Sequence, residues 1–310
     1  MTQPPISEAT LMGLPTQVSI VVVCYNYGRF LSAALDSALG QTQPAGEILV
    51  MDDGSTDETR AVAGRYGSRV RYVALSHQGV CPARNGGLAE AKGKWIVFLD
   101  ADDALEPRYL EKTLAAWQAA PEPKPAFVYT QRADLLTGQT SSHFPEYDAS
   151  LLKQRNYVMV SSLMDKEIVR SIGFDSAFAG GLEDYDLFLS MAERGYRGLL
   201  LNEPLLRVRT HPESRSRQCG RPDERWRLMS RLLSKHRSFF NAEESKVWRR
   251  KMREFVAARI RENRKPSDSM FSRVKGLLML LRCRAPRASL REQLLFVLFP
   301  KQFEIRQTLW

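Results

Sequence analysis

Two short acidic blocks hold the residues best suited to chemistry: Asp52-Asp53-Gly54-Ser55-Thr56-Asp57 and Asp100-Ala101-Asp102-Asp103. Each follows an apolar run with the length of a buried strand, Ile48–Met51 and Trp95–Leu99. In an open parallel sheet, ligands sit outside the carboxyl ends of the strands, so both blocks are expected to face one crevice. Carboxylates gathered there repel one another unless a cation or a donor-rich ligand offsets them. Asp100, Asp102 and Asp103 offer hard oxygen ligands on a loop, which suits Mg²⁺ or Mn²⁺. A carboxylate such as Asp53 only accepts hydrogen bonds, so it suits a nucleobase edge that presents an N–H. Together these residues point to a nucleotide-plus-metal site.

The elements that must position them follow from apolar spacing. Val18–Val23 is mostly β-branched and reads as a buried strand. Tyr25-Asn26-Tyr27-Gly28 then turns the chain into a helix with apolar residues at Phe30, Leu31, Ala34, Leu35 and Ala38. Further strands are expected at Val70–Leu75, Ala126–Thr130 and, as an edge strand, Leu199–Val208. Helices are expected through Arg60–Arg65, over Ala83–Ala91, from Pro107 to about Ala120, and within Gly180–Arg194. The stretch 131–160 reads as irregular, a candidate acceptor-facing insertion. Alternation of strand and helix with short connections implies an α/β fold with a doubly wound, mostly parallel sheet.

Charge divides the 310 residues unevenly. The net charge of +10 conceals 25 Lys+Arg against 9 Asp+Glu from Arg215 onward, and 20 against 26 before it. The expected organisation is a lead-in over 1–16, an acidic α/β domain over 17–214, and a helical basic region over 215–310. Asn241 and Glu244 have the spacing of a helix-capping pair. Met270–Leu281 is amphipathic, and Leu294–Phe299 is apolar. A basic tail of this kind suits an anionic partner, with a membrane surface foremost. Cys24, Cys81, Cys219 and Cys283 show no Cys-x-x-Cys spacing, which argues against zinc and a disulfide framework. The N-terminus does not read as a signal peptide, and no apolar stretch reaches the length of a spanning helix. A cytoplasmic protein is expected, with the tail a candidate for peripheral attachment at the inner face of the membrane.

Four blocks occur in order: Val18 to Gly28, Asp52 to Asp57, Ala83-Arg84-Asn85, and Asp100 to Asp103. In order and spacing they resemble the inverting nucleotide-sugar glycosyltransferases of family 2, which have the GT-A fold, a Rossmann-like doubly wound sheet. The match holds through about residue 110, with weaker elements to Ser216. The resemblance divides the domain into a nucleotide-sugar half over 17–110 and an acceptor half over 111–214. It implies that Tyr25, Asp53, Arg84, Asp100 and Asp102 bind the nucleotide, with Asp53 at a uracil ring. Asp102 or Asp103 would hold the divalent metal, Mn or Mg. Gly173-Phe174-Asp175 followed by Glu183-Asp184 resembles the family's Glu-Asp element and implies Asp184 as the catalytic general base. Arg209-Thr210-His211 resembles an Arg-x-His element, which makes His211 a further metal candidate. His77, His143 and His236 receive no role.

The function so implied is inverting transfer from a nucleotide-sugar, a UDP-sugar foremost, in surface-glycan biosynthesis. The acceptor would be a saccharide or a lipid-linked saccharide. The tail does not resemble the multi-span region of processive synthases, which disfavours polymer extrusion. From another class, the alternative is a module that binds nucleic acid or an anionic surface and carries a non-catalytic nucleotide-binding domain. No zinc-finger, RNA-recognition or helix-turn-helix pattern supports it, so no nucleic acid is expected. A dinucleotide oxidoreductase would need Gly-x-Gly-x-x-Gly after its first strand, which is missing here.

Overall fold

The computed structural model describes residues 17–140, 143–211, 222–250 and 254. The lead-in, Cys219, Cys283 and the stretches Met270–Leu281 and Leu294–Phe299 lie outside the described residues. The chain divides into two compact units, Met1–Arg217 and Gln218–Trp310.

The first unit is built on one eight-stranded sheet in the order β3-β2-β1-β4-β7-β6-β8-β5. Its strands are β1 (Val18–Cys24), β2 (Glu47–Asp52), β3 (Arg71–Ala74), β4 (Trp95–Asp100), β5 (Ala104–Leu105), β6 (Phe127–Asp134), β7 (Leu163–Asp165) and β8 (Gly198–Val208). β1 to β4 are parallel, as alternation of strand and helix requires. β7 lies antiparallel between β4 and β6, while β6 and β8 pair in parallel and β5 closes antiparallel on β8. The expected α/β sheet is therefore present, mostly parallel.

β1 and β4 are near-continuous apolar runs because helices cover both faces of the sheet. Ile20, Val21, Val22, Val97, Phe98 and Leu99 are all 0% exposed. Helix α1 (Gly28–Leu39) buries Leu31, Ala34, Leu35 and Ala38, one stripe at helical spacing. Leu35→Ala would open a cavity there and cost roughly 2–5 kcal/mol. Helix α2 (Thr59–Gly64) follows β2, and helix α3 (Val80–Glu90) follows β3. α3 consists of small residues because it lies hard against β1. A Cβ on Gly87 would come 2.5 Å from Val21 Cγ1. That close approach sets where Arg84 and Asn85, on the same helix, can reach.

Several elements differ from expectation. β8 is not the edge strand, since β6 flanks it on one side and β5 pairs with its end at Leu206 and Arg207. β5, at two residues, is too short to show any period. β6 continues past Thr130 to Asp134, so part of the stretch 131–160 is strand. Its register against β8 shifts on both sides of Gln131, which breaks the alternation that would have revealed it. Helix α4 (Tyr109–Ala119) lies where expected, and α5 (Ala149–Leu152) is a single turn. β7 and helix α6 (Lys166–Ile172) were not anticipated; Asp165, the last residue of β7, caps α6 by accepting from the Glu167 and Ile168 N–H groups. Helix α7 (Glu183–Glu193) begins at the acidic pair.

In the second unit, helix α8 (Pro222–Lys235) is followed by helix α9 across 242–250. The anticipated cap is formed: Asn241 N donates to Glu244 Oε2 and Glu244 N to Asn241 Oδ1, both at 2.8 Å. Leu228, Met229, Leu232, His236 and Phe240 are buried. Among the described residues, no helix is long and apolar enough to cross a membrane.

Candidate active site

The carboxyl ends of β1, β2 and β3 hold the first half of the site. Its three acidic residues have separate partners. Asp52 is buried, takes Ser55 N at 2.9 Å and pairs with the Tyr72 hydroxyl. Burial and that carboxylate push the Tyr72 phenol up to about 12. Asp57 takes Gly28 N, Thr59 N and Thr59 Oγ1 at 2.9, 3.0 and 2.5 Å, tying α1 to the start of α2. Burial raises its carboxyl, but those donors outweigh burial and hold it below the ordinary value.

Asp53 is only 2% exposed, and both of its oxygens are engaged. Oδ1 accepts from Gln78 N at 2.9 Å, while Oδ2 accepts from Gly79 N and faces His77 Nδ1, both at 2.9 Å. Gly54 makes this possible: its φ is +76°, and a Cβ there would come 2.8 Å from His77 N. Tyr25 is 41% exposed and stacks on the His77 ring, with centroids 3.9 Å apart and planes 13° from parallel. Asn26, at φ 54°, locks the adjoining turn by taking Thr56 N at 2.8 Å, in a left-handed conformation that Asn tolerates.

The second half surrounds the loop after β4. Pairing of β5 with β8 delivers Asp102 and Asp103 to the segment that follows β8. Asp102 Oδ2 lies 2.9 Å from His211 Nε2, and Arg209 Nε reaches the Asp102 carbonyl at 3.2 Å. Asp103 Oδ1 accepts from Arg209 N at 3.0 Å. Asp103, expected as a metal ligand on a loop, is 5% exposed with Oδ1 directed at backbone. Burial, then the neighbouring Asp100 and Asp102 charges, push the Asp103 carboxyl well above the ordinary range. Burial and Asp100 raise Asp102 less, since His211 counteracts them.

Arg84 was expected near the nucleotide. It is 1% exposed and turned inward, so it meets the crevice only through Asp100. Its Nη1 pairs with Glu183 Oε1 and its Nη2 with Asp100 Oδ1, each at 2.9 Å. Its neighbour Asn85 exchanges two hydrogen bonds with the Phe174 backbone, at 2.8 and 2.9 Å. The Ala83-Arg84-Asn85 block thus joins α3 to the turn before α7. Asp184 stands in the first turn of α7, half-buried, with Oδ2 3.1 Å from Asn156 Nδ2. A continuous chain of contacts runs from Glu183 beside Asp184, through Arg84, to Asp100.

Comparison with known proteins settles the family. The family model for glycosyl transferase family 2 matches residues 19–173, half of the chain. The chain belongs to that family. It is 36% identical over 108 residues to an uncharacterised glycosyltransferase of Nostoc, covering 34% of each chain. It is 30% identical over 201 residues to the chondroitin synthase of Pasteurella multocida, covering 62% of this chain and 20% of that one. The match therefore spans between about a fifth and a third of these relatives' own length. TarS of S. aureus, solved with UDP, superposes with a TM-score of 0.61 at 18% identity over 90% of this chain and 86% of that one. The mannosyltransferase PcManGT of Pyrobaculum calidifontis, solved with GDP-Man and Mn²⁺, gives 0.58 at 16% identity over 94% and 89%. The fold is the GT-A arrangement that the ordered blocks implied.

Whether this family 2 chain suits a divalent metal depends on its donor set. Among the described residues, no group of three or more His, Cys, Asp or Glu is placed to hold a metal ion. Magnesium needs fewer, because it is commonly bound through one or two carboxylates with water and substrate phosphates in the other positions. Adjacent donors about 2.1 Å from one octahedral ion lie about 3.0 Å apart. The 2.9 Å between Asp102 Oδ2 and His211 Nε2 matches that edge. His211 Nε2 faces Asp102 Oδ2 as a hydrogen-bond partner, while its Nδ1 is buried without one. The pair fits an oxygen-rich cation site with two protein ligands.

Sequence reasoning named His77 and Asn85 without giving either a role, and passed over Asn156. His77 was within reach of the strand-end rule, since it follows β3, the third adjacent parallel strand, by three residues.

Proposed function

We propose that the protein transfers a sugar from a UDP-sugar to a saccharide or lipid-linked saccharide acceptor, with inversion at the anomeric carbon and a divalent metal bound. The reading rests on one arrangement: the Tyr25–His77–Asp53 cluster at the ends of β1–β3 and a carboxylate–imidazole pair after β4, with Arg84 joining Asp100 to the start of α7. Tyr25 and the Asp53 pocket take the base. Asp102 and His211 hold the metal, which when bound neutralises charge on the departing diphosphate. Asp100 faces the ribose or diphosphate and is steadied by Arg84. Asp184 accepts the acceptor hydroxyl proton as that oxygen attacks the sugar, and Asn156 orients its carboxylate.

The test is a donor panel read by nucleoside diphosphate release, with and without Mn²⁺ and acceptor. Asp184→Asn keeps the shape and removes the basicity. Transfer should fall by roughly 10²–10⁴ while donor binding survives. Near-normal transfer in this variant would move the base elsewhere, and a product of retained configuration would overturn inversion. The net charge of +16 from Arg215 onward supports peripheral attachment to anionic lipid, at about 1 kcal/mol per well-placed basic residue. Failure of the full chain to float with anionic vesicles at low salt would remove that attachment.

A further inference from the structure

His77 is the half-exposed member of the base pocket, and its hydrogen-bond geometry determines which ring nitrogen carries the proton. Nδ1 lies 3.0 Å from the Asp53 carbonyl and 2.9 Å from Asp53 Oδ2. Both partners are acceptors only, so Nδ1 must be the donor. In the neutral imidazole Nε2 then bears a lone pair, on a side chain that is 51% exposed. The Asp53 carboxylate is 3% exposed as a side chain, and both its oxygens already take backbone N–H groups. Exposure thus makes the imidazole the acceptor that a ligand meets first, with the carboxylate behind it. Stacking on Tyr25 and the close approach at Gly54 hold the ring in one plane.

We propose that His77 reads the nucleobase, its Nε2 accepting from the ring N–H of uracil while Asp53 fixes the tautomer from behind. The proposal rests on the nucleotide-sugar reading above and adds a specificity residue to it. Uracil offers a ring N–H at N3, whereas cytosine presents a lone pair at the same atom and would face the Nε2 lone pair unfavourably. A neutral hydrogen bond of this kind corresponds to roughly tenfold in affinity.

Calorimetry with UDP and CDP on the full chain tests this. The wild type should bind UDP at least tenfold tighter than CDP. His77→Phe, which preserves a stacking ring and removes both nitrogens, should bring the ratio to near one with CDP affinity held within about twofold. N3-methyl-UDP probes the unaltered protein and should bind about tenfold more weakly than UDP, with no such loss in His77→Phe. The ¹⁵N shifts of His77 in the wild type should show a protonated Nδ1 and an unprotonated Nε2. A protonated Nε2 in either the neutral or the cationic ring, or a UDP preference that survives in His77→Phe, overturns the role of His77 and leaves the nucleotide-sugar reading standing. A wild type that binds neither UDP nor CDP overturns that reading itself, and this role with it.

Discussion

The two ends of the crevice treat buried carboxylate in opposite ways. At the β1–β3 end, Asp53 is enclosed by three donors from one short turn, residues 77–79. At the β4 end, three carboxylates within four residues share Arg84, Arg209 N and His211. Burial and mutual repulsion push Asp102 and Asp103 up there. The first end is complete without a ligand. At the second, burial and mutual repulsion outweigh the protein's own donors, so on the proposed reading preorganisation belongs to the β1–β3 end and charge demand to the β4 end.

Removing the carboxylate–imidazole pair should separate the two ends most sharply. Asp102→Ala should lower transfer by roughly 10² or more, the scale of losing several kcal/mol of charge stabilisation. UDP should still bind at the intact base pocket. Full activity of this variant, or of the wild type in excess chelator, would break the assignment of charge demand to this end.

Stability supplies the next contrast. Asp53→Ala strands two backbone N–H groups and the His77 Nδ1, and should cost about 3 kcal/mol by urea unfolding. Asp103→Asn keeps an acceptor for Arg209 N and removes a repelled charge, so it should stabilise by about 1 kcal/mol. Equal destabilisation by both would show that the ends are electrostatically alike. Asp103→Ala, by contrast, should destabilise, since Asp103 Oδ1 accepts from Arg209 N.

The smallest effect concerns Asp57, whose folded carboxyl sits below its ordinary value. A depressed carboxylate contributes stability above the ordinary range and loses it as pH falls through the folded value. The stability difference between wild type and Asp57→Ala should therefore be largest near neutral pH and shrink in acid. A difference independent of pH would mean that the side chain acts through packing alone.

Most of the parallel half was legible in the sequence because its strands are buried on both faces and its helices are amphipathic. Val18–Val23, Ile48–Met51 and Trp95–Leu99 all lie within observed strands, and the acidic blocks follow two of them. The rest of the sheet was less legible. β5 and β7 are two and three residues long, and β6 carries a register shift, so none shows a usable period.

The sequence alone therefore determined the family, the order of six of the eight strands along the chain and the residue types that reach the crevice, since local apolar pattern and ordered motifs encode these. Tertiary structure decided the partnerships. Nothing near Asp103 indicates that a two-residue strand will bring it to Arg209, and nothing near Arg84 foretells Glu183, 99 residues away. The same holds for His77, whose approach to Asp53 depends on the left-handed turn at Gly54. Long-range pairing chooses which acids are supplied with donors and which are left to a ligand, and no local pattern carries that information.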